Sequence, residues 1–245
     1  MPPPAESFPR ASDQAVLPGF FDRRDLFLAL GTEVIICSPA LAVAWWLHAD
    51  RAASLFSCLL GFWLVQMAVA IAVLKVLRSA FPMLPGRYSY SPRARTTYVW
   101  TLNSFICATN LGLLYNHPSL MPSPVKKVFY QLLGAKLGAG PMMLGGRLTD
   151  PHLITVEAGV VVGGDCWLLA HAMVRFETNL LILAPIVIQR DAIIGAYSLV
   201  MPGVTVGPGA MLRAMSYVPL GTTIPAGDSW GGNPAVRRLP PAPRK

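Results

Sequence analysis

The chain has 245 residues, 53% of them hydrophobic and only 13% charged, with a formal net charge of +8. A mean hydropathy of +0.49 favours a small folded domain joined to membrane segments over one ordinary soluble domain of the same length. The basic excess suits anionic lipid head groups or a phosphorylated ligand, and no aromatic-basic motif of a nucleic-acid module accompanies it, which sets nucleic acid aside.

Residues 1–25 begin "MPPPAESFPRASDQAVLPGF", rich in proline and poor in hydrophobic periodicity, so a disordered lead is expected. Residues 26–76 hold two apolar runs, Leu26 to Leu47 and Ala52 to Leu74, each matching the roughly 20 residues that a bilayer crossing needs. The link His48 to Arg51 allows only a tight turn, which predicts a transmembrane helical hairpin. The alternative is a pair of buried core helices in a soluble protein. A cleaved signal peptide fits less well, because the first run follows a long polar lead and ends without a small-residue cleavage site. Arg10, Arg23 and Arg24 precede the hairpin and Lys75, Arg78, Arg87, Arg93 and Arg95 follow it, whereas only Arg51 lies in the turn. The positive-inside rule then puts both ends in the cytoplasm, and the expected location is the cell membrane, multi-pass, with the remaining domain facing the cytoplasm.

Residues 77–133 read as a membrane-interfacial connector with short helices. "FPMLPGRYSYSPRAR" is rich in proline and arginine. Thr96 to Tyr115 is apolar but interrupted by Asn103 and Asn110, which suggests a helix in the interface or packed on the hairpin rather than a third span. "SPVKKVFYQLLGAKLG" offers Ser123 as a cap, Pro124 at the first helical position and a short amphipathic helix.

From residue 134 to 238 the pattern changes. Ile188, Ile194, Val200, Val206, Leu212, Val218 and Ile224 recur at every sixth position, and Val156, Val162 and Leu168 keep the same spacing upstream. Neither a helix nor a strand has that period. Gly195 and Gly207 follow the aliphatic, Pro202-Gly203 and Pro208-Gly209 mark corners, and the fourth position after each aliphatic is small or β-branched. Short strands joined by sharp corners and stacked as a solenoid satisfy this. Leu137-Gly138 marks the entrance coil. Between Leu168 and Ile188 the count slips by two, so "AHAMVRFETNLLILAP" must include a segment expelled from the solenoid, the kind of place where sites are found. Residues 239–245 are expected to form a disordered tail.

These repeats resemble the hexapeptide-repeat acyltransferases, whose fold is a left-handed parallel β-helix of triangular coils. The ending "IPAGDSWGGNPAVRR" is similar to theirs. More narrowly, "PGRYSY", "LLGAKLG", "DPHLITVEAGVVVGGD" and "SWGGNPA" resemble the membrane-associated β-helix domains of synthetases of the ε-poly-lysine type. The fold class expected is therefore mainly β, a left-handed parallel β-helix preceded by the helical hairpin.

Of the four histidines, His48 and His117 lie in turns and His152 starts a coil as a structural or substrate-contact residue. His171 stands where the count breaks, with Glu177 six residues on, and a neutral imidazole suits proton removal near pH 7. The resemblance implies His171 as general base, with Glu177 or Asp150 orienting it or binding the acceptor. It also implies acyl-CoA, acetyl-CoA by default, as co-substrate in a groove between neighbouring β-helices of a homotrimer. Gly195, Ser198, Gly207 and Arg213 would line that groove, with Trp230 and Asn233 at the adenine end. The acceptor implied is a hydroxyl or amine of a lipid-linked saccharide, or another small-molecule or envelope precursor. An aminoacyl thioester on a carrier protein, or a trimeric scaffold without turnover, remain open. The scaffold gains weight from Gln189, Glu157 and Arg213, which stand where glycine is common, and from the shortness of the expelled segment. The four cysteines, Cys37, Cys58, Cys107 and Cys166, are scattered in apolar surroundings as small buried hydrophobes. No metal is expected: a carbonic-anhydrase-like site would need three clustered histidines, and the solenoid offers His152 and His171.

Overall fold

The computed structural model describes residues 23–49, 54–90, 94–117, 121–140, 142–174 and 179–238. The hairpin turn 50–53, the tail, Glu177 and all but the last three residues of the expected lead lie outside the described residues. The described chain divides into two compact units, one holding residues 23–83 and 90–116, the other residues 84–89 and 117–238.

In the first unit, α1 (Arg23–Ala49) and α2 (Leu55–Ala80) are both long and apolar enough to cross a bilayer, with mean hydropathies of 2.0 and 2.2. Only 11% and 17% of those windows are buried, and Phe27, Leu41, Trp45 and Phe56 are exposed. They are therefore not core helices of this chain, because a core helix buries most of its apolar surface. The two pack closely where Gly61 meets Leu47. Ser54 caps α2 by accepting from Ser57 N at 3.2 Å. The helix runs past the expected residue 76 to Ala80, since nothing breaks it before Pro82, which disfavours helical backbone at Phe81. Helix α3 (Arg95–Asn110) packs on the hairpin through Asn103, Ile106, Cys107 and Asn110, which is one of the two placements expected, and α4 (Gly112–Asn116) follows.

The second unit opens with β1 (Gly86–Ser89) and α5 (Ser123–Leu132). Five triangular coils follow. The first is β2 (Lys136–Leu137), β3 (Met143–Leu144) and β4 (Arg147–Thr149); the second is β5 (Ile154–Val156), β6 (Val161–Val162) and β7 (Trp167–Leu169). A hairpin, β8 (His171–Val174) and β9 (Leu180–Leu183), then leaves the wall. The third coil is β10 (Ile186–Ile188), β11 (Ile193–Ile194) and β12 (Leu199–Val200), the fourth β13 (Thr205–Val206), β14 (Met211–Leu212) and β15 (Tyr217–Val218). The last is β16 (Thr223–Ile224) and β17 (Ser229–Gly231), closed by β18 (Val236–Arg237). Three parallel sheets form the walls, in the orders β2-β5-β10-β13-β16, β3-β6-β11-β14-β17 and β4-β7-β12-β15, with β18 antiparallel to β17.

The six-residue register is the inward column of each wall. Val156, Ile188, Val206 and Ile224 stack in one, Val162, Ile194 and Leu212 in the second, and Leu168, Val200 and Val218 in the third, all fully buried. Ser198 and Ser216 fill inner corners, Ser198 Oγ donating to Arg213 O at 3.1 Å and accepting from Ser216 N. Glycine after the aliphatic is a spacing requirement: a Cβ on Gly195 would sit 2.2 Å from Ala214 N of the next coil. Helix α5 caps the first coil, where the buried Tyr130 hydroxyl accepts from Leu148 N at 3.2 Å. Trp230, paired with Leu212, continues the second column and ends it.

Two measurements follow from this packing. Gly195→Ala is expected to destabilise the chain by about 1–3 kcal/mol through overpacking, visible as a lowered Tm, whereas Gly164→Ala, with nothing within 4 Å of its Cβ, leaves the Tm nearly unchanged. Burial pushes the Tyr130 phenol up to about 12 from an ordinary value of 10.0. The neutral phenol is favoured in the fold, so its stabilising contribution is complete below pH 10 and disappears as pH rises through about 12. Denaturant melts between pH 9 and 12 are expected to show a loss that Tyr130→Phe lacks.

Candidate active site

The slip in the six-residue count has a simple geometric origin. One full coil takes eighteen residues, as from Ile188 to Val206, but Val156 to its stacked neighbour Ile188 takes thirty-two. The fourteen extra residues, 171–184, leave the wall after Ala170 and rejoin it where Ala184 N donates to Ala170 O at 3.1 Å. Fourteen exceeds two hexads by two. The expelled segment is an antiparallel hairpin rather than a plain loop, with His171 opposite Leu183, Ala172 opposite Ile182 and Met173 opposite Leu181.

The corner of the first coil lies beside that exit, since Ala170 N donates to Thr149 O. At this corner Asp150 takes a left-handed backbone, φ 56°, a conformation aspartate tolerates better than most residues. Its carboxylate is 2% exposed and hydrogen-bonded through Oδ2 to His171 Nδ1, while the imidazole is 16% exposed. A buried carboxylate at Nδ1 holds the proton there and leaves Nε2 as the basic nitrogen. The arrangement can thus present an oriented base at a partly exposed edge, the requirement for taking a proton from a hydroxyl or amine nucleophile. Of the three residues expected in this role, His171 and Asp150 are brought together and Glu177 is not among the described residues.

The expected donor-site residues are placed elsewhere on the solenoid. Gly195 and Gly207 are closed over by the backbone of the next coil, and Ser198 is buried with its hydroxyl used inside the wall. Neither glycine nor Ser198 has a side-chain face towards an external groove. Arg213 is exposed, and its stem lies within about 3 Å of where a Cβ on Gly231 would be. Trp230 Nε1 donates to Asp228 Oδ2 at 3.4 Å, the same carboxylate that pairs with Arg237 at 2.8 Å. Asn233 is exposed and precedes a cis bond to Pro234. Among the described residues no group of His, Cys, Asp or Glu could hold a metal ion. Cys58, Cys107 and Cys166 are buried and Cys37 half-buried, all as free thiols.

Two features escaped the sequence reading. Strand β1, taken there as part of a surface connector, pairs antiparallel with β9, giving a three-stranded sheet β1-β9-β8 in which Gly86, Leu183 and His171 lie in line. Four residues carry no period that would name so distant a partner; the signal was the motif "PGRYSY" itself. The second is Arg147, whose guanidinium lies 4.8 Å over the exposed Trp167 ring on the outer wall that leads to Asp150.

The fold and its repeat define the second unit as a hexapeptide-repeat β-helix. No protein-family model matches the sequence. The chain is 28% identical over 153 residues to the δ-poly-L-ornithine synthetase of Acinetobacter baumannii, a match covering 62% of this chain and 11% of that protein. It is 27% identical over 108 residues to the inferred acetyltransferase YvoF of Bacillus subtilis, covering 44% of this chain and 60% of that one. The matches span less than two thirds of these relatives' own lengths. Among solved structures, a hexapeptide-repeat-containing acetyltransferase of Vibrio cholerae, complexed with acetyl-CoA, overlays with a TM-score of 0.40 and 18% identity, covering 53% of this chain and 88% of that one. These two curated relatives, a synthetase and an acetyltransferase, correspond to the two groups that the motifs resemble.

The Asp150–His171 contact predicts a tautomer. Nitrogen-15 spectra of labelled imidazole are expected to show the Nδ1–H tautomer wherever His171 carries a single ring proton, and Asp150→Asn should move part of that population to Nε2. An unchanged spectrum would mean that the carboxylate does not set the tautomer.

Proposed function

We propose that the chain is a membrane-anchored acyltransferase of the hexapeptide-repeat type. It moves an acyl group, acetyl by default, from acyl-CoA to a hydroxyl or amine of a lipid-linked saccharide or other envelope precursor. The observation that carries this reading is the Asp150–His171 pair at the base of the extruded hairpin. His171 Nε2 takes the acceptor's proton as its oxygen or nitrogen attacks the thioester carbonyl. Asp150 stabilises the imidazolium that forms, and the proton then passes to the departing thiolate. Arg213, exposed beside the closing strand, is the side chain best placed for a donor phosphate, with Trp230 and Asn233 near it in the closing turn.

The exposed apolar flanks of α1 and α2 support an anchor, and the charge asymmetry supports a cytoplasmic β-helix. Five residues, 81–85, separate α2 from β1, the third strand of the sheet that carries His171. So short a covalent tether suits an acceptor that lives in the bilayer. Met143, Ile193 and Met211 form an exposed column along one outer wall, which suits burial against further copies in a homotrimer. A second reading is favoured by the similarity to the poly-ornithine synthetase: transfer of an aminoacyl group from a carrier-bound thioester to an amine, with the same base.

Detergent-solubilised protein given acetyl-CoA and a crude lipid-linked saccharide fraction is expected to release thiol in an acceptor-dependent way. His171→Ala should lower that rate by about 10²–10⁴, the usual worth of a positioned base. Release only from aminoacyl carrier protein would favour the second reading. A verified trimer inert with every donor would leave a scaffold.

A further inference from the structure

Helix α3 meets the apolar hairpin through polar side chains. Its buried face carries Asn103 and Asn110, 2% and 3% exposed, seven residues apart and so on one side of the helix. Arg78 Nε donates to Asn103 Oδ1 at 2.9 Å, and Gln66 Nε2 donates to Asn110 Oδ1 at 2.9 Å. Asn110 Nδ2 and Thr109 Oγ1 both donate to Glu33 Oε1, at 2.9 and 2.8 Å. Val99, Trp100, Ile106 and Cys107 share the buried face, and the exposed positions of α3 are Arg95, Phe105, Ala108 and Thr109. Helices in lipid join through polar side chains of this kind.

The contacts also give a direction. Arg95 lies 4.7 Å over the Phe81 ring, Asn103 meets Arg78 and Asn110 meets Gln66, so α3 descends along α2 rather than crossing its end. Gln66 stands twelve residues before Arg78, about 18 Å of helix and near the middle of a hydrocarbon layer of about 30 Å. Yet α3 has sixteen residues, or about 24 Å, which falls short of a crossing. Its two flanks, 84–89 and 117 onward, belong to the same folded unit, in which β1 is hydrogen-bonded to β9. A single crossing would put those flanks on opposite faces of the membrane.

The geometry points to α3 as a re-entrant membrane helix, its exposed Phe105 and Ala108 against lipid acyl chains and its tip held at mid-bilayer depth by Glu33, Gln66, Thr109 and Asn110. This rests on the reading of α1 and α2 as a membrane anchor. Without such docking the Glu33 side chain would face hydrocarbon with only the weak Cys37 thiol donor at 4.0 Å, a costly position; with it, two donors from α3 reach the other oxygen.

The test uses the full chain in phospholipid vesicles, its four cysteines replaced by alanine, with one nitroxide at a time on Leu59→Cys, Arg95→Cys or Ala108→Cys. Collision with oxygen against collision with a water-soluble nickel chelate reads depth. Labels at Leu59 and Ala108 are expected in hydrocarbon and the label at Arg95 at the surface, with a several-fold higher oxygen-to-nickel ratio at Ala108 than at Arg95. Adding Glu33→Leu should raise nickel access at Ala108, and Glu33→Gln, which keeps an acceptor oxygen, should raise it less. A buried Leu59 with Ala108 no deeper than Arg95 would overturn the re-entrant helix and leave the anchor. Nickel access at all three would overturn the anchor as well. Should the cysteine-free chain not fold, the native chain in vesicles of acyl-chain diazirine lipid gives the same reading: adducts on Phe105 and Ala108 support it, and adducts on α1 and α2 alone overturn it.

Discussion

The contact on which the folded unit depends is the approach of one coil's backbone to the next. At Gly195 and Gly207 successive coils leave no room for a side chain, and parallel hydrogen bonds such as Gly195 N to Leu212 O at 2.7 Å close the distance. Everything else in the solenoid is spaced by that contact. Eighteen residues must return the chain to its starting corner one strand spacing further on, which is why each wall takes one inward aliphatic every six residues. The stack buries what no single coil could.

So strict a period makes any deviation legible as structure. The fourteen residues from 171 to 184 interrupt a wall without disturbing the coils on either side, as Val187 still pairs with Thr155 below and Thr205 above. The insertion places a histidine beside the corner of an earlier coil, and that corner carries an aspartate already committed to a left-handed backbone. A rigid stack thus fixes Asp150 against the first residue of the hairpin, twenty-one positions further on. In the helical unit polar side chains share the same job with buried Ile36, Leu74, Trp100 and Ile106.

Much of this was legible in the sequence. The columns from Val156 to Ile224, the entrance at Leu137, the apolar character of α1 and α2 and the proximity of His171 to an expelled segment all follow from local pattern or period. What the pattern cannot hold is pairing between distant segments. Residues 86–89 are too few to show alternation and their partners lie beyond 179, so β1 was hidden in an apparent connector. Ser198 was read both as a small corner residue and as a groove residue. Its place in the six-residue frame matches the inner corner, and the structure uses its hydroxyl there. Asn103 and Asn110 were visible as interruptions, but which helix side chains they would meet depends on packing that no single-helix period encodes.

The pairing of β1 with β9 also imposes an order in time. A ribosome adding about 5–20 residues each second needs roughly 5–20 s after Ser89 before Leu183 is made. Through that interval α1 and α2 are already made, while Gly86–Ser89 has no strand to join. The wall cannot supply one until its second coil is complete and the chain has turned outward at His171. The sheet bearing the histidine can thus close only after the first two coils are made and before the last three, and a chain interrupted before that point would be partly coiled without it.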